Sequence, residues 1–252
     1  MADVEASTRT SGRHPARRAV QLAVAAIAAY LIIAYVLAPS LWRRYDSRHS
    51  ALANLPGFTF TGSGQPGDPL NVVLIGSQNQ LTKIMTAAKW VPAVPLGARA
   101  DLAIAVDSVL RRPDPNAPVS RLYLFGRVED LAFEQEVDGS PRHRHHARFW
   151  KSDVHDGDTR PVWIGAAIYD RGVGLSRTTG QITHHIAERI DDERDYLFQC
   201  LRNTGVLSEW YAVDDYHRVR EGKNGAGDPW ITDGRLFVGI IDRSADGAAA
   251  PR

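Results

Sequence analysis

Hydrophobic and polar positions divide this chain into an uncharged helical run, a Gly/Pro-rich connector and a long stretch of alternating strand-like and helix-like segments. Residues 19–38 read A-V-Q-L-A-V-A-A-I-A-A-Y-L-I-I-A-Y-V-L-A. At helical rise such a run covers roughly 30 Å, the thickness of a bilayer's hydrocarbon core, so a transmembrane helix is predicted over 19–38. Arg17 and Arg18 precede it, Arg43 and Arg44 follow it, and Trp42 and Tyr45 sit where interfacial aromatics anchor such helices. A cleaved signal peptide is the competing reading. The run exceeds a signal core of roughly 7–15 residues and Pro39 follows directly, which favours an uncleaved, single-pass anchor. Arg9, Arg13, Arg17 and Arg18 outnumber Arg43, Arg44 and Arg48, so the N-terminus is expected inside and the rest on the extracytoplasmic side.

Residues 1–18 form a polar N-terminal tail, and 39–69 read as a tether ending in T-G-S-G-Q-P-G-D-P. A folded domain is expected over 70–242, with a disordered tail at 243–252. It begins with L-N-V-V-L-I-G-S (70–77), a buried strand. Leu81, Ile84, Met85, Ala88 and Trp90 then recur at helical spacing, with Ser77 or Asn79 as N-cap. A short helix over 101–112 stops at Pro113. Strand patterns follow at 119–127, 145–150 and 161–170, the last two pairing as a hairpin. An amphipathic helix over 190–202 is capped by Asp191 or Asp192 and stopped by Gly205. Strands at 208–216 and 235–242 flank a hairpin-like loop at 222–229. The class is therefore α/β (α+β): a mixed, largely antiparallel sheet flanked by helices, preceded by one transmembrane helix.

Composition changes this picture little. Net charge is +1 and no basic patch interleaves with aromatics, so nucleic acid is not an expected partner. The single cysteine, Cys200, excludes an internal disulfide and reads as a small, buried residue of the helix.

Histidine placement marks where chemistry would sit. The blocks R-H-R-H-H-A-R-F-W (142–150) and T-H-H-I-A-E-R-I-D-D-E (183–193) flank a strand that ends in Asp170. Strand geometry puts Arg144, His146, Arg148 and Trp150 on one face and His145, Ala147 and Phe149 on the other, more apolar face, the one expected toward the core. Asp170 before Arg171-Gly172 reads either as turn chemistry or as a cleft ligand. His184 and His185 diverge, and no H-E-x-x-H spacing exists. Asp191, Asp192 and Glu193 suit a helix N-terminus in any case. Arg127, Asp130 and Glu134 read either as orienting groups behind the histidines or as a surface charge network.

The segments L-Y-L-F-G-R-V-E-D-L-A-F-E (122–134), R-H-H-A-R-F-W (144–150), P-V-W-I-G-A-A-I-Y-D-R-G-V-G-L-S (161–176) and T-H-H-I-A-E-R-I-D-D-E-R-D-Y (183–196) together resemble the LssY C-terminal domain family over roughly 68–241. That family has no established activity. Related domains are fused to lipid-phosphate phosphatase-like and DedA-like membrane regions, so the resemblance implies a membrane or envelope-lipid setting; this chain lacks those regions.

Three functions follow as expectations. The first is a metal-dependent hydrolase: His145 or His146, Asp170 and His184 or His185 hold a divalent metal ion, Glu193 or a second histidine acts as base on bound water, and Arg148 or Arg194 binds an anionic substrate group. The second is a non-catalytic module that binds an anionic lipid head group at the bilayer, or a membrane phosphatase-like protein. The third is a structural domain whose histidines satisfy buried polar groups.

Overall fold

The computed structural model describes residues 14–41, 52, 55–93, 121–137, 140–178, 180 and 182–246. The expected helix over 101–112 lies outside the described residues, as do 1–13, 42–51 and 247–252. The chain divides into two units, 1–48 and 49–252.

In the first unit, α1 (His14–Ile32) continues through a π-helical turn, Ile33–Leu37, and ends at Leu41. Arg17–Leu41, 25 residues, is long and apolar enough to cross a membrane. It exceeds the expected 19–38 by less than one turn at each end.

The second unit is a mixed, largely antiparallel arrangement of strands with helices, as expected. Its elements are β1 (Phe58–Thr61), β2 (Pro66–Pro69), β3 (Val72–Ile75), α2 (Gln78–Ala87), β4 (Val91–Pro92), β5 (Leu122–Leu124), β6 (Arg127–Val128), β7 (Leu131–Val137), β8 (Ser140–His155), β9 (Pro161–Leu175), β10 (Ile182–Ile186), α3 (Ile190–Asn203), β11 (Leu207–Val213), β12 (Glu221–Lys223), β13 (Pro229–Ile231) and β14 (Leu236–Ile241). A 3₁₀ turn, Arg243–Asp246, follows, so the start of the expected C-terminal tail is structured.

The main sheet runs β11-β14-β3-β9-β8-β7-β4. Strand β9 is long enough that β3 and β10 share its second edge, β3 along residues 162–165 and β10 along 170–175. Only β14 and β3 are parallel among the sheet's pairs. Both faces of this sheet are buried, which explains the uninterrupted V-V-L-I of β3. Val73, Ile75, Trp150, Ile164 and Ile168 belong to one core; Val72, Leu74, Ala147, Phe149 and Trp163 belong to the other. The expectation that only the His145 face meets a core is thus corrected.

The helices cover the second face. The hydroxyl of Ser77 accepts from Gln80 N–H at 3.2 Å and the Gln80 side chain accepts from Ser77 N–H at 2.8 Å, a capping box that starts α2. Helix α2 buries Leu81, Ile84 and Met85. Helix α3 buries Ile190, Glu193, Arg194, Leu197, Phe198 and Leu201, a 3.6-residue stripe. Its N-cap is Arg189, without a side-chain bond, not Asp191 or Asp192. Asp191 instead accepts from Thr232 Oγ1 (2.8 Å), Asp233 N–H and Arg194 Nη1 (3.0 Å). Gly205 ends the helix at φ 70°.

A second correction concerns the tether. Residues 58–69 are a hairpin, β1 and β2, within a four-stranded sheet ordered β2-β1-β5-β6. Gly67 is required there: a Cβ would stand 2.5 Å from Thr59 Oγ1 and 2.7 Å from Leu122 Cδ2. The β5–β6 turn places Phe125 at φ 52° and Gly126 at φ 74°, the left-handed pair of a tight hairpin. Strands β12 and β13 form the hairpin expected around 222–229.

Candidate functional site

Pairing of β8 with β9 decides what converges. Arg144 lies opposite Asp170, His146 opposite Ile168 and Arg148 opposite Ala166, so all three polar side chains share the face of Asp170. Strand β10 adds Ile186 opposite Asp170 on the other edge, with His184 two residues earlier on the same face. Strand β9 runs on to Leu175, so Asp170 does not enter a turn at Arg171-Gly172. It is 3% exposed, at the centre of a polar cluster inside the sheet.

Arg144 organises that cluster. Its Nε donates to Asp170 Oδ2 (3.1 Å), Nη1 to Glu134 Oε2 (2.9 Å) and Nη2 to His184 Nε2 (3.2 Å). A guanidinium only donates, so His184 Nε2 is the unprotonated ring nitrogen. The ring proton then sits on Nδ1, 3.5 Å from Asp170 Oδ2. His146 Nδ1 lies 4.0 Å from the same oxygen. Burial first, then the Arg148 and Arg144 charges, hold His146 well below the ordinary histidine range, so it is neutral at pH 7. Burial raises Glu134 above the usual carboxylate value, and Arg144 opposes it.

Beside the cluster opens a cavity of about 580 Å³. His146, Arg148, Asp170 and His184 line it from the sheet, Thr61, Ser63, Gln65 and Asp68 from the β1–β2 hairpin, and residues 224–226 from the β12–β13 turn. Arg148 is 4% exposed, yet its Nε and Nη1 are buried and make no hydrogen bond among the described residues. Burial raises the Asp68 carboxyl, and the charge of Arg148 is the largest influence lowering it. Asn224 Nδ2 approaches Asp68 Oδ1 at 3.5 Å.

Other residues singled out from the sequence lie elsewhere. His145 is on the opposite sheet face, where its Nδ1 meets Glu193 Oε2 at 2.7 Å and its ring stacks on Tyr196 (centroids 4.0 Å apart, 18° between planes). Glu193 therefore cannot serve as a base in the cavity. Burial raises its pKa, and the bond from His145 lowers it. Arg194 is buried among carboxylates, donating to Asp233 (2.7 and 3.1 Å), Asp195 (2.8 Å) and Asp191, with its guanidinium over the Phe237 ring at 4.0 Å. Burial works against its charge, but the Asp233 and Asp195 bonds outweigh it and raise its pKa. It ties α3 to the 233–235 loop. His185 Nδ1 pairs with the fully buried Asp228 at 2.8 Å, and Asp228 also accepts from Ile186 N–H at 3.3 Å, which fastens β10 to the β12–β13 turn. Arg127 and Asp130 form a surface pair, while Glu134 joins the cluster through Arg144.

Of the alternatives in the expected ligand set, His146, Asp170 and His184 come together, while His145 and His185 lie elsewhere. Adjacent histidines on a strand point to opposite faces, and of the three residues that do converge, Asp170 and His184 are bonded to the Arg144 guanidinium. Among the described residues no three His, Cys, Asp or Glu side chains are grouped so as to hold a metal ion. One residue of the cavity and one of the cluster behind it carry no clear sign of a site in the sequence. Asp68 sat in the apparent tether, where the F-T-F-T alternation of β1 was its only signal. Arg144 shares the face the alternation predicts, but it reads from sequence as a solvated edge-strand charge, whereas it is 3% exposed and bonded to Asp170.

A family model described as LssY C-terminus matches residues 52–236. No curated protein and no solved structure matches the chain.

Proposed function

The chain belongs to the LssY C-terminus family, and on that premise we propose that it is a membrane-anchored domain whose cavity binds an anionic head group of phosphate type. One observation carries the reading: Arg148, buried at the cavity wall with Nε and Nη1 unbonded. An unpaired buried guanidinium costs several kcal/mol, which an anion bonded to its fork offsets. The hydroxyls of Thr61 and Ser63 and the amide of Gln65 are further donors on the same wall. Arg121 and Arg148 on the cavity wall and Arg144 beside it favour an anion over a metal cation, and Arg144 already donates to Oδ2 of Asp170, the oxygen that His146 and His184 approach. The apolar helix Arg17–Leu41 supports the bilayer as the setting. The arginine excess before it supports an extracytoplasmic position for the domain.

A second reading adds catalysis to this binding. Neutral His146 on the cavity wall is a proton acceptor beside the anion site, as a hydrolase-like reaction requires. The test is a thermal-unfolding series on the detergent-solubilised full chain with glycerol 3-phosphate and with inorganic phosphate. Stabilisation of the wild type, lost in Arg148→Gln, is expected. No shift with either anion, or an equal shift in Arg148→Gln, overturns the binding reading. Phosphate release from glycerol 3-phosphate that depends on His146 decides for the second.

A further inference from the structure

Outside the cavity, the four-stranded sheet carries a feature that ligand binding does not explain. Phe60 lies opposite Pro66 on one side and Tyr123 on the other, and Tyr123 lies opposite Val128. Directly opposed residues share a face, so Pro66, Phe60, Tyr123 and Val128 form one row across all four strands. The reverse face holds the buried Thr59, Leu122 and Leu124. Phe60 is 44% exposed and Val128 41%; Phe125, at the adjoining turn, is 43% exposed with the Arg127 guanidinium 5.6 Å from its ring centre. Scattered exposed apolar residues are ordinary; a contiguous row of apolar and aromatic residues in register across four strands marks an interaction surface.

Chain length limits how far this face can lie from the anchor helix. The apolar helix ends at Leu41, and Leu52 is already part of the domain core. The intervening residues 42–51 reach about 35 Å even when fully extended. If Arg17–Leu41 crosses a bilayer, the domain is held at its surface at an effective concentration in roughly the millimolar range, where a shallow apolar patch is sufficient for docking. We propose that this face lies on the lipid bilayer that holds the anchor, with Phe60, Tyr123, Phe125 and Val128 at head-group depth, the level favoured by amphipathic aromatics. The same β1–β2 hairpin supplies Thr61, Ser63 and Gln65 to the cavity, so docking brings the cavity rim to the lipid head groups.

The inference rests on the anchor reading, and the experiment separates the two. The full chain, with Cys200→Ser, is labelled with an environment-sensitive dye at Val128→Cys or, as control, at Val219→Cys, a residue 60% exposed. It is reconstituted into phosphatidylcholine or phosphatidylglycerol vesicles containing a head-group-depth spin-labelled lipid. Co-flotation with the vesicles, roughly twofold quenching at position 128 and little at 219 are expected in both lipids, and Phe60→Ser reduces the quenching at 128. Flotation with equal quenching at both positions overturns docking and leaves the anchor standing. Failure to float overturns both. A blue-shifted dye at 128 that spin-labelled lipid does not quench shows that a second copy or another protein covers the row, and overturns docking.

Discussion

His145 and His146 are neighbours in sequence and occupy opposite worlds in the fold. On the helix-covered face, His145 is bonded to Glu193 and stacked on Tyr196. Across the sheet, His146 faces a cavity with Arg148 beside it and Asp170 behind it. On the helix-covered face the histidine is paired with a carboxylate, though Glu193 Oε1 and Trp90 Nε1 stay unbonded there among the described residues; on the other face a guanidinium keeps unbonded donors at a cavity wall. A buried polar group without a partner costs stability, and a site that retains one is a place where a ligand does the satisfying.

The sharpest way to break this comparison is within the open face, where two arginines should respond in opposite directions. Arg144→Ala leaves Asp170 without its cation and should cost about 3–5 kcal/mol in urea unfolding of the full chain in detergent. Arg148→Met removes a charge with unbonded donors and should stabilise by about 1–3 kcal/mol while abolishing the phosphate-dependent rise in melting temperature. A destabilised Arg148→Met would mean that Asp68 already satisfies this guanidinium.

Across the sheet, His145→Ala should cost about 2–3 kcal/mol by leaving Glu193 unbonded, with the phosphate response intact. His146→Ala should have the reverse profile, a small stability change and an altered ligand response. Equal responses would erase the distinction between the faces.

The smallest effect is one of pH. Burial, the Arg148 charge and the Arg144 charge depress His146, and burial foremost depresses His217, whose Nε2 donates to Leu70 O at 2.8 Å. Below about pH 6.5 the unfolded chain takes up protons that the folded chain refuses. Stability is therefore full above that pH and falls as pH drops, by at most about 1.4 kcal/mol per pH unit for each histidine. Chemical unfolding between pH 7.5 and 5.5 should show this slope, and His146→Asn should lessen it; an unchanged slope would show that His146 protonates as readily folded as unfolded.

Much of this architecture was legible from periodicity. The uncharged run, the capping serine of α2, the apolar stripe of α3 and the 145–170 hairpin follow from local preference and from spacing that one residue's neighbours define. The β1–β2 hairpin was not, because strands containing Pro66, Gly67 and Pro69 carry the composition of a loop, and only pairing with β5 holds them extended. Asp68 was lost with it.

Residue pattern alone established a membrane-length apolar helix, a mixed, mainly antiparallel domain, and the face that Arg144, His146 and Arg148 share, because alternation along a strand is a property of the backbone. Tertiary structure alone decided that Arg144 binds Asp170 and His184, that Glu193 and Arg194 serve the helix side, and that Arg148 is left with open donors. Those outcomes depend on strand register and on which distant loops close over the sheet, quantities that no local spacing encodes.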